Sequence, residues 1–271
     1  MAASMDGKIA VVTGGTQGLG EATARLFAER GADGLVICGR NAGRGAAVAA
    51  DISAKGCKTI FVRAELADLD QCRTVIATAD ETFGRVDTLV NAAAITDRGT
   101  ILDTSPELFD TMFAVNVRAP FFLIQEAVKI MIRQAIKGTI VNVISMSGYG
   151  GQSFITAYCA SKGALQTLTR NAGFALMRNQ IRVNGLNIGW MDTPGEHRVQ
   201  MHYHGAGEDW LAKTEAGEPF GRLLKPAEVA RTIAFLASAE SGMMTGSLVD
   251  MDQTVFGCSD VQPQPAEALT L

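Results

Sequence analysis

A single glycine-rich turn constrains this chain more than any other stretch. Thr13-Gly14-Gly15-Thr16-Gln17-Gly18-Leu19-Gly20 lies between an apolar run at 8–12, Lys-Ile-Ala-Val-Val, and a helical stretch that continues through Arg30. Glycines let the backbone approach a ligand that side chains would hold off. The N-terminus of the following helix offers free N–H groups and a partial positive charge. Strand, glycine turn and helix in that order are what a phosphate site needs.

The rest of the chain repeats the alternation. Short apolar runs at 35–38, 59–62, 86–90, 139–144, 181–186 and 247–250 read as buried strands. Helices are expected over about 43–54, 69–83, 106–134, 158–177 and 226–238. This order predicts an α/β protein: a three-layer, doubly wound Rossmann-type sheet, mostly parallel, of about seven strands with helices on both faces. No linker, composition shift or internal repeat divides it, so 1–254 is expected to be one domain. Residues 193–221 break the pattern with glycine, histidine and charge, and are expected to be a mobile substrate lid. The tail 255–271, with Pro263 and Pro265, is expected to be irregular. In such sheets ligands bind beyond the carboxyl ends of the strands, where Gly14, Arg40, Asn91, Ser145 and Gly189 all fall.

The chemistry-bearing stretch runs from Thr139 to Lys162. Its strand ends near Ser145, and its helix carries Tyr158 and Lys162 four apart, on one face. A phenol ionises near pH 10 in water. A nearby ammonium favours the phenolate and brings it within range as a proton donor or acceptor. Ser145 is placed to hydrogen-bond the oxygen that Tyr158 protonates.

Composition excludes some classes. A formal net charge of -4 gives no electrostatic reason to expect nucleic acid or an anionic membrane surface, and no apolar run reaches the length of a membrane span. Five cysteines are scattered with no Cys-x-x-Cys pair, which argues for reduced thiols in a cytoplasmic protein. The opening Met-Ala-Ala-Ser-Met-Asp-Gly-Lys lacks a signal-peptide apolar core. His197, His202 and His204 supply too few ligands for a metal, so no metal is expected and solvated or substrate-facing roles are. Trp210, Tyr203 and these histidines suit a polyol or sugar, and Arg198 an acid.

Together these features resemble the compact, single-domain branch of the short-chain dehydrogenase/reductase family, over residues 8 to about 252. Thr13-Gly14-x-x-x-Gly18-x-Gly20 matches its cofactor motif. Leu89-Val90-Asn91-Ala92-Ala93-Ala94 resembles its Asn-Asn-Ala-Gly segment, with two alanines replacing the second Asn and the Gly. Asn116, Ser145, Tyr158 and Lys162 match its catalytic tetrad in order and spacing. Val183-Asn184 through Thr193 resembles the nicotinamide segment, with Ile188 replacing the usual Pro before Gly189. Glu65 stands where an Asp is usual, and Gln253-Thr254 replaces a usual Gly-Gly. The resemblance implies hydride transfer between a nicotinamide and an alcohol or carbonyl carbon. Tyr158 would be the acid/base and Ser145 would hold the reacting oxygen. Lys162 would bind the nicotinamide ribose and lower the Tyr158 pKa, and Asn116 would hold a water linking Lys162 to solvent. It also implies cofactor contacts from Gly14, Thr16, Gln17, Gly18, Leu19, Gly20, Arg40, Glu65, Leu66, Asn91, Ala93, Tyr158, Lys162, Gly189 and Thr193, and a homotetramer or homodimer.

The end of the second strand bears on which dinucleotide binds. An acid there accepts hydrogen bonds from a free 2′-hydroxyl, whereas a nearby Arg accommodates a 2′-phosphate. This strand ends Cys38-Gly39-Arg40, with no acid and an immediate guanidinium, so NADP is expected over NAD. A different reading is a catalytically silent dinucleotide-binding sensor or scaffold. Filling of all four tetrad positions disfavours it. An epimerase or dehydratase would want a larger C-terminal substrate region than this chain has room for.

Overall fold

The computed structural model describes residues 4–260, so the expected tail lies outside it from residue 261 on. Seven strands form one sheet: β1 (Ile9–Thr13), β2 (Gly34–Gly39), β3 (Lys58–Arg63), β4 (Thr88–Asn91), β5 (Thr139–Val143), β6 (Arg182–Ile188) and β7 (Leu248–Met251). Their order is β3-β2-β1-β4-β5-β6-β7, and every neighbouring pair is parallel. A parallel sheet covered on both faces needs apolar side chains in both directions, which is why its strands read as unbroken apolar runs. Adjacent Val11 and Val12 show this, each fully buried in a different core.

One layer is built by α1 (Gly18–Glu29), α2 (Ala42–Ala54) and α9 (Pro226–Ala237), which bring Phe27, Val48, Ile52, Val229 and Ile233 onto Val12 and Ile37. The other uses α3 (Leu69–Phe83), α5 (Ala119–Arg133) and α6 (Thr156–Ala175). There Val75, Ile76, Leu123 and Met131 pack on Val11, Leu89 and Ile140. Between β1 and β4 the chain order across the sheet reverses, opening a crevice at the carboxyl ends of the strands.

Two expectations need correction. The single helix expected from Pro106 is instead α4 (Pro106–Phe113), a π-helical segment Ala114–Arg118, and then α5. Pro120 is the cause. In a regular helix its ring would collide with the Asn116 carbonyl four residues back, and it has no N–H to offer that carbonyl. The widened turn relieves the clash, and Ala119 donates to Ala114 five residues back. Residues 193–221 are also more regular than their composition foretells, folding into α7 (Pro194–His204) and α8 (Trp210–Gly217). Among the described residues, no helix is long and apolar enough to cross a membrane.

Candidate active site

The glycine turn meets the end of β4 at very close range. Gly14 has a φ of +68°, and a Cβ there would lie 3.1 Å from the Ala93 backbone. A Cβ on Gly20 would come within 2.3 Å of the Gly14 carbonyl oxygen, so the first turn of α1 can sit this close only as glycine. Gly18, at a φ of +55°, lies beside Thr193. Thr13 Oγ1 stitches the two strand ends together by accepting from Ala92 N–H at 3.0 Å and Ala93 N–H at 3.1 Å. Gln17, which precedes α1, makes no side-chain cap, so the first N–H groups of that helix, near the buried Leu19, remain available to an anion. The Gln17 amide oxygen instead accepts from Arg44 and, at 3.3 Å, from Arg198.

Across the crevice stand the four expected catalytic side chains. Ser145 follows β5, is buried, and takes a bond at its hydroxyl from Ser147 N–H at 3.1 Å. Lys162 is buried on α6. Its Nζ lies 5.6 Å from the centre of the Tyr158 ring and donates to the Val143 carbonyl at 3.0 Å. Asn116, in the π-helical turn, is spent on protein. Its Oδ1 accepts from Ile95 N–H at 3.0 Å, and its Nδ2 donates to Ile95 O at 3.0 Å and to Ser161 Oγ at 3.1 Å. Both N–H groups of its amide and one lone pair of Oδ1 are therefore taken by protein. Pro120 has no N–H to give the Asn116 carbonyl four residues back.

Burial shifts both ionisable groups toward their neutral forms. Burial pushes the Tyr158 phenol up to about 12, with a hydrogen bond to Ser145 pulling the other way. Burial also pulls the Lys162 ammonium down to about 8. Desolvation disfavours the charged form of each group, and the protein alone does not offset it.

Gly189 closes the end of β6, where a Cβ would lie 1.8 Å from the Asp252 carboxylate. Thr193 caps α7, accepting from Glu196 N–H at 3.1 Å. Asn91 is buried and donates to Asn142 Oδ1 at 2.9 Å; its own Oδ1 is the one buried side-chain N or O atom without a partner among the described residues. At the far end of the crevice Arg40 is 71% exposed and 3.8 Å from the Glu65 carboxylate. Arg40, Arg63, Glu65 and Gln71 line one cleft. Thr16 packs beneath them, where a Cβ on Gly39 would come within 2.8 Å of its side chain, and Leu66 is buried nearby in sequence.

The lid histidines do not form a metal centre; among the described residues no group of three or more potential ligands is placed to hold one. His197 Nε2 meets Asp192 Oδ1 at 2.8 Å, and Trp210 Nε1 donates to His197 Nδ1 at 3.2 Å. An indole N–H can only donate, so Nδ1 accepts and Nε2 carries the proton given to Asp192. Lys225 bonds Asp192 and Glu215, both at 2.9 Å. Burial works upward on Asp192, but its bonds to Lys225 and His197 hold the carboxyl below its usual range. Trp210 is buried against His197, and Arg198 donates to Gln17. Asp192, Arg98 and Glu196 went unread in the sequence, as did the part Thr13 plays in joining the two strand ends. Thr13 carried a signal, as a hydroxyl between strand and glycine turn; the others lie outside any recurrent pattern.

The family model described as "Enoyl-(Acyl carrier protein) reductase" matches residues 14–254. The chain belongs to the short-chain dehydrogenase/reductase family. Galactitol 2-dehydrogenase of Agrobacterium fabrum is 33% identical, over 92% of this chain and 97% of the relative. Sorbitol dehydrogenase of Cereibacter sphaeroides is 32% identical with the same coverage. Among solved structures, a 3-oxoacyl-(acyl-carrier-protein) reductase of Agrobacterium tumefaciens with NADP bound superposes with a TM-score of 0.82. It is 27% identical over 93% of this chain and 95% of that one. As a short-chain dehydrogenase/reductase, the protein is an NAD(P)-dependent oxidoreductase. The glycine cradle, the uncapped helix N-terminus and the orphan Asn91 oxygen fit such a dinucleotide.

Proposed function

We propose that this protein interconverts a small alcohol and its carbonyl compound with NADP rather than NAD, and that Tyr158 is its acid/base. The observation that carries the reading is the grouping of Ser145, Tyr158 and Lys162 across the crevice from the glycine cradle. A bound nicotinamide dinucleotide supplies the hydride chemistry there. In the oxidation direction the ionised Tyr158 would take the hydroxyl proton, while the carbinol hydrogen would leave as hydride for the bound dinucleotide. Ser145 holds the reacting oxygen, so that oxygen, proton carrier and hydride donor keep one geometry. Lys162 stands behind the Tyr158 ring and favours its ionised form once dinucleotide hydroxyls replace lost solvation. The Asn116 carbonyl holds a water on the path from Lys162 to solvent.

Dinucleotide choice rests on the absence of an acid at Gly39 and on the exposed Arg40, with Arg63 beside it in one cleft. The relative solved with NADP supports the same choice. Residues 1–254 act as one domain with 193–221 as its lid, in a cytoplasmic homotetramer or homodimer. Exposed Phe109 and Phe121, near a groove along α4 and α5, support that assembly. The decisive experiment pairs Tyr158→Phe with a panel of alcohols and ketones. The variant should fold, bind dinucleotide and lose about 100- to 10,000-fold in turnover. Turnover within a few-fold of wild type removes Tyr158 from the mechanism. Dinucleotide binding without turnover of any substrate by the wild type would favour the silent sensor.

A further inference from the structure

We propose that Glu196 is a specificity-determining residue that selects neutral polyhydroxylated substrates by accepting, at Oε2, a hydrogen bond from a hydroxyl next to the reacting carbon. This rests on the oxidoreductase reading above and names its substrate class.

The placement of α7 comes first. It crosses the mouth of the crevice and is tied down at several points. Arg198 reaches the glycine turn at Gln17 Oε1, 3.3 Å away. At the other end Tyr203 donates to Asp97 at 2.9 Å, and Arg98 Nε donates to His204 Nε2 at 3.4 Å. Glu196, Gln200 and His204 are spaced by four, so they share one face of the helix. That face is bonded to Trp190, directly after Gly189, and to Arg98, beyond the end of β4.

Glu196 is held in one orientation by one of its two oxygens. Oε1 accepts from Trp190 Nε1 at 2.8 Å and from Gln200 Nε2 at 2.7 Å. Among the described residues, Oε2 takes no hydrogen bond, and no cation pairs with the carboxylate. The carboxylate is only partly buried, so Oε2 stays open to a donor from solvent or from a ligand. Arg98 is its counterpart. The guanidinium lies 5.5 Å from the centre of the Phe154 ring and donates from Nε to His204 and from Nη1 to the Thr96 carbonyl at 2.8 Å. Its Nη2 has no bond among the described residues. Glu196 and Arg98 do not pair with each other, yet both act on the Tyr158 phenol, the carboxylate pushing its pKa up and the guanidinium pulling it down. Tyr158 thus has both an acceptor-only and a donor-only side chain in its neighbourhood.

A substrate must satisfy both. A polyol or sugar does, since a hydroxyl can donate to Glu196 while another accepts from Arg98. A hydroxy acid would gain from Arg98 but meet repulsion from Glu196. An acyl chain would bury both charges without a partner. Sites built around a substrate hydroxyl reject analogues that lack it more sharply than apolar pockets reject a missing methylene.

The test is Glu196→Gln, which keeps an oxygen for Trp190 but puts a donor in place of Oε2. Steady-state kinetics would compare sorbitol and galactitol with cyclohexanol and a 2-hydroxy acid. Calorimetry would measure hexitol binding to the NADPH complex, in which alcohol oxidation cannot proceed. We expect the wild type to prefer at least one hexitol to cyclohexanol. The variant should lose about 10- to 100-fold in kcat/KM on that hexitol, mostly in KM. Its hexitol affinity should fall by a similar factor, while cyclohexanol and dinucleotide binding hold within about two-fold and the hydroxy acid improves. Equal losses on hexitol and cyclohexanol overturn the proposal, because Glu196 then only orders the lid. Hexitol affinity unchanged by the substitution, or undetectable in the wild type, also overturns it. Failure of the wild type to oxidise any alcohol counts instead against the oxidoreductase reading, and the calorimetric comparison still decides the part played by Glu196.

Discussion

Asn116 grips the peptide of Ile95 from both sides, taking its N–H and giving to its C=O at the same 3.0 Å. The contact joins the π-helical turn to the loop after β4, and a third bond carries it on to Ser161 in α6. Asn116→Ala would leave buried backbone groups unpaired and should cost about 2–3 kcal/mol. Urea unfolding should show that loss, together with a more than tenfold fall in turnover at roughly unchanged dinucleotide affinity. A variant as stable as the wild type would show that water replaces the clamp at no cost.

Burial of Lys162 makes a prediction about alkaline stability. Its pKa falls to about 8 in the fold from an ordinary 10.5, so between those values the unfolded chain binds the proton and the folded one does not. Stability therefore gains about 1.4 kcal/mol per pH unit across that window from this group. Tyr158 has the opposite sign. Its pKa is raised from 10.0 to about 12, so its contribution is present below pH 10 and is lost as pH rises toward 12. Urea midpoints of wild type and Lys162→Met, compared from pH 7.5 to 9.5, should show a steeper rise with pH in the wild type. Parallel curves would mean that Lys162 keeps an ordinary pKa.

Dinucleotide preference should follow Gly39 and Arg40. The wild type should use NADP more efficiently, and Gly39→Asp/Arg40→Ala should move the ratio of kcat/KM values toward NAD by about 10- to 100-fold. An aspartate at 39 has to displace the Thr16 side chain, 2.8 Å from the added Cβ, so some loss with both dinucleotides is expected. Wild-type preference for NAD, or a ratio untouched by the double change, dismisses Arg40 as selector.

The lid should be the first part to open. α7 buries no side chain, and α8 buries only Trp210. Segments with so little burial lie at the low end of local stability. Amide exchange should be fast across 194–217 in the free protein, slow across α9, and slower across the lid once dinucleotide and substrate are present. Uniform strong protection of 194–217 without ligand would rule out opening. Replacing Trp210 with Ala should speed exchange there further.

Much of this molecule could be read from its residues. Parallel strands buried on both faces leave continuous apolar runs, and the glycine turn is dictated by backbone contacts that admit no side chain. Tyr158 and Lys162 could be paired because four residues along a helix place two side chains on one face, whereas Asn116 was singled out only by the family resemblance. The π-helical turn was not, because its apolar pattern is that of an ordinary helix, and only Pro120 marks it. α7 was missed for the related reason that a helix burying nothing carries no apolar stripe. Spacing reveals the ammonium beside Tyr158 but not the burial of Lys162, which pulls that ammonium down to about 8.

The bond between Asn91 and Asn142 has a consequence for how the sheet assembles. These residues face each other across β4 and β5, and Asn142 passes the connection to Thr169 on α6 at 2.9 Å. Apolar strands are tolerant of misalignment, because one valine packs much like the next. A slip of two residues would instead set the Asn91 amide against Ile140 or Ile144 and strand two amides in the interior. The polar rung thus favours one register of β4 on β5 over its neighbours, with no ligand needed to enforce it.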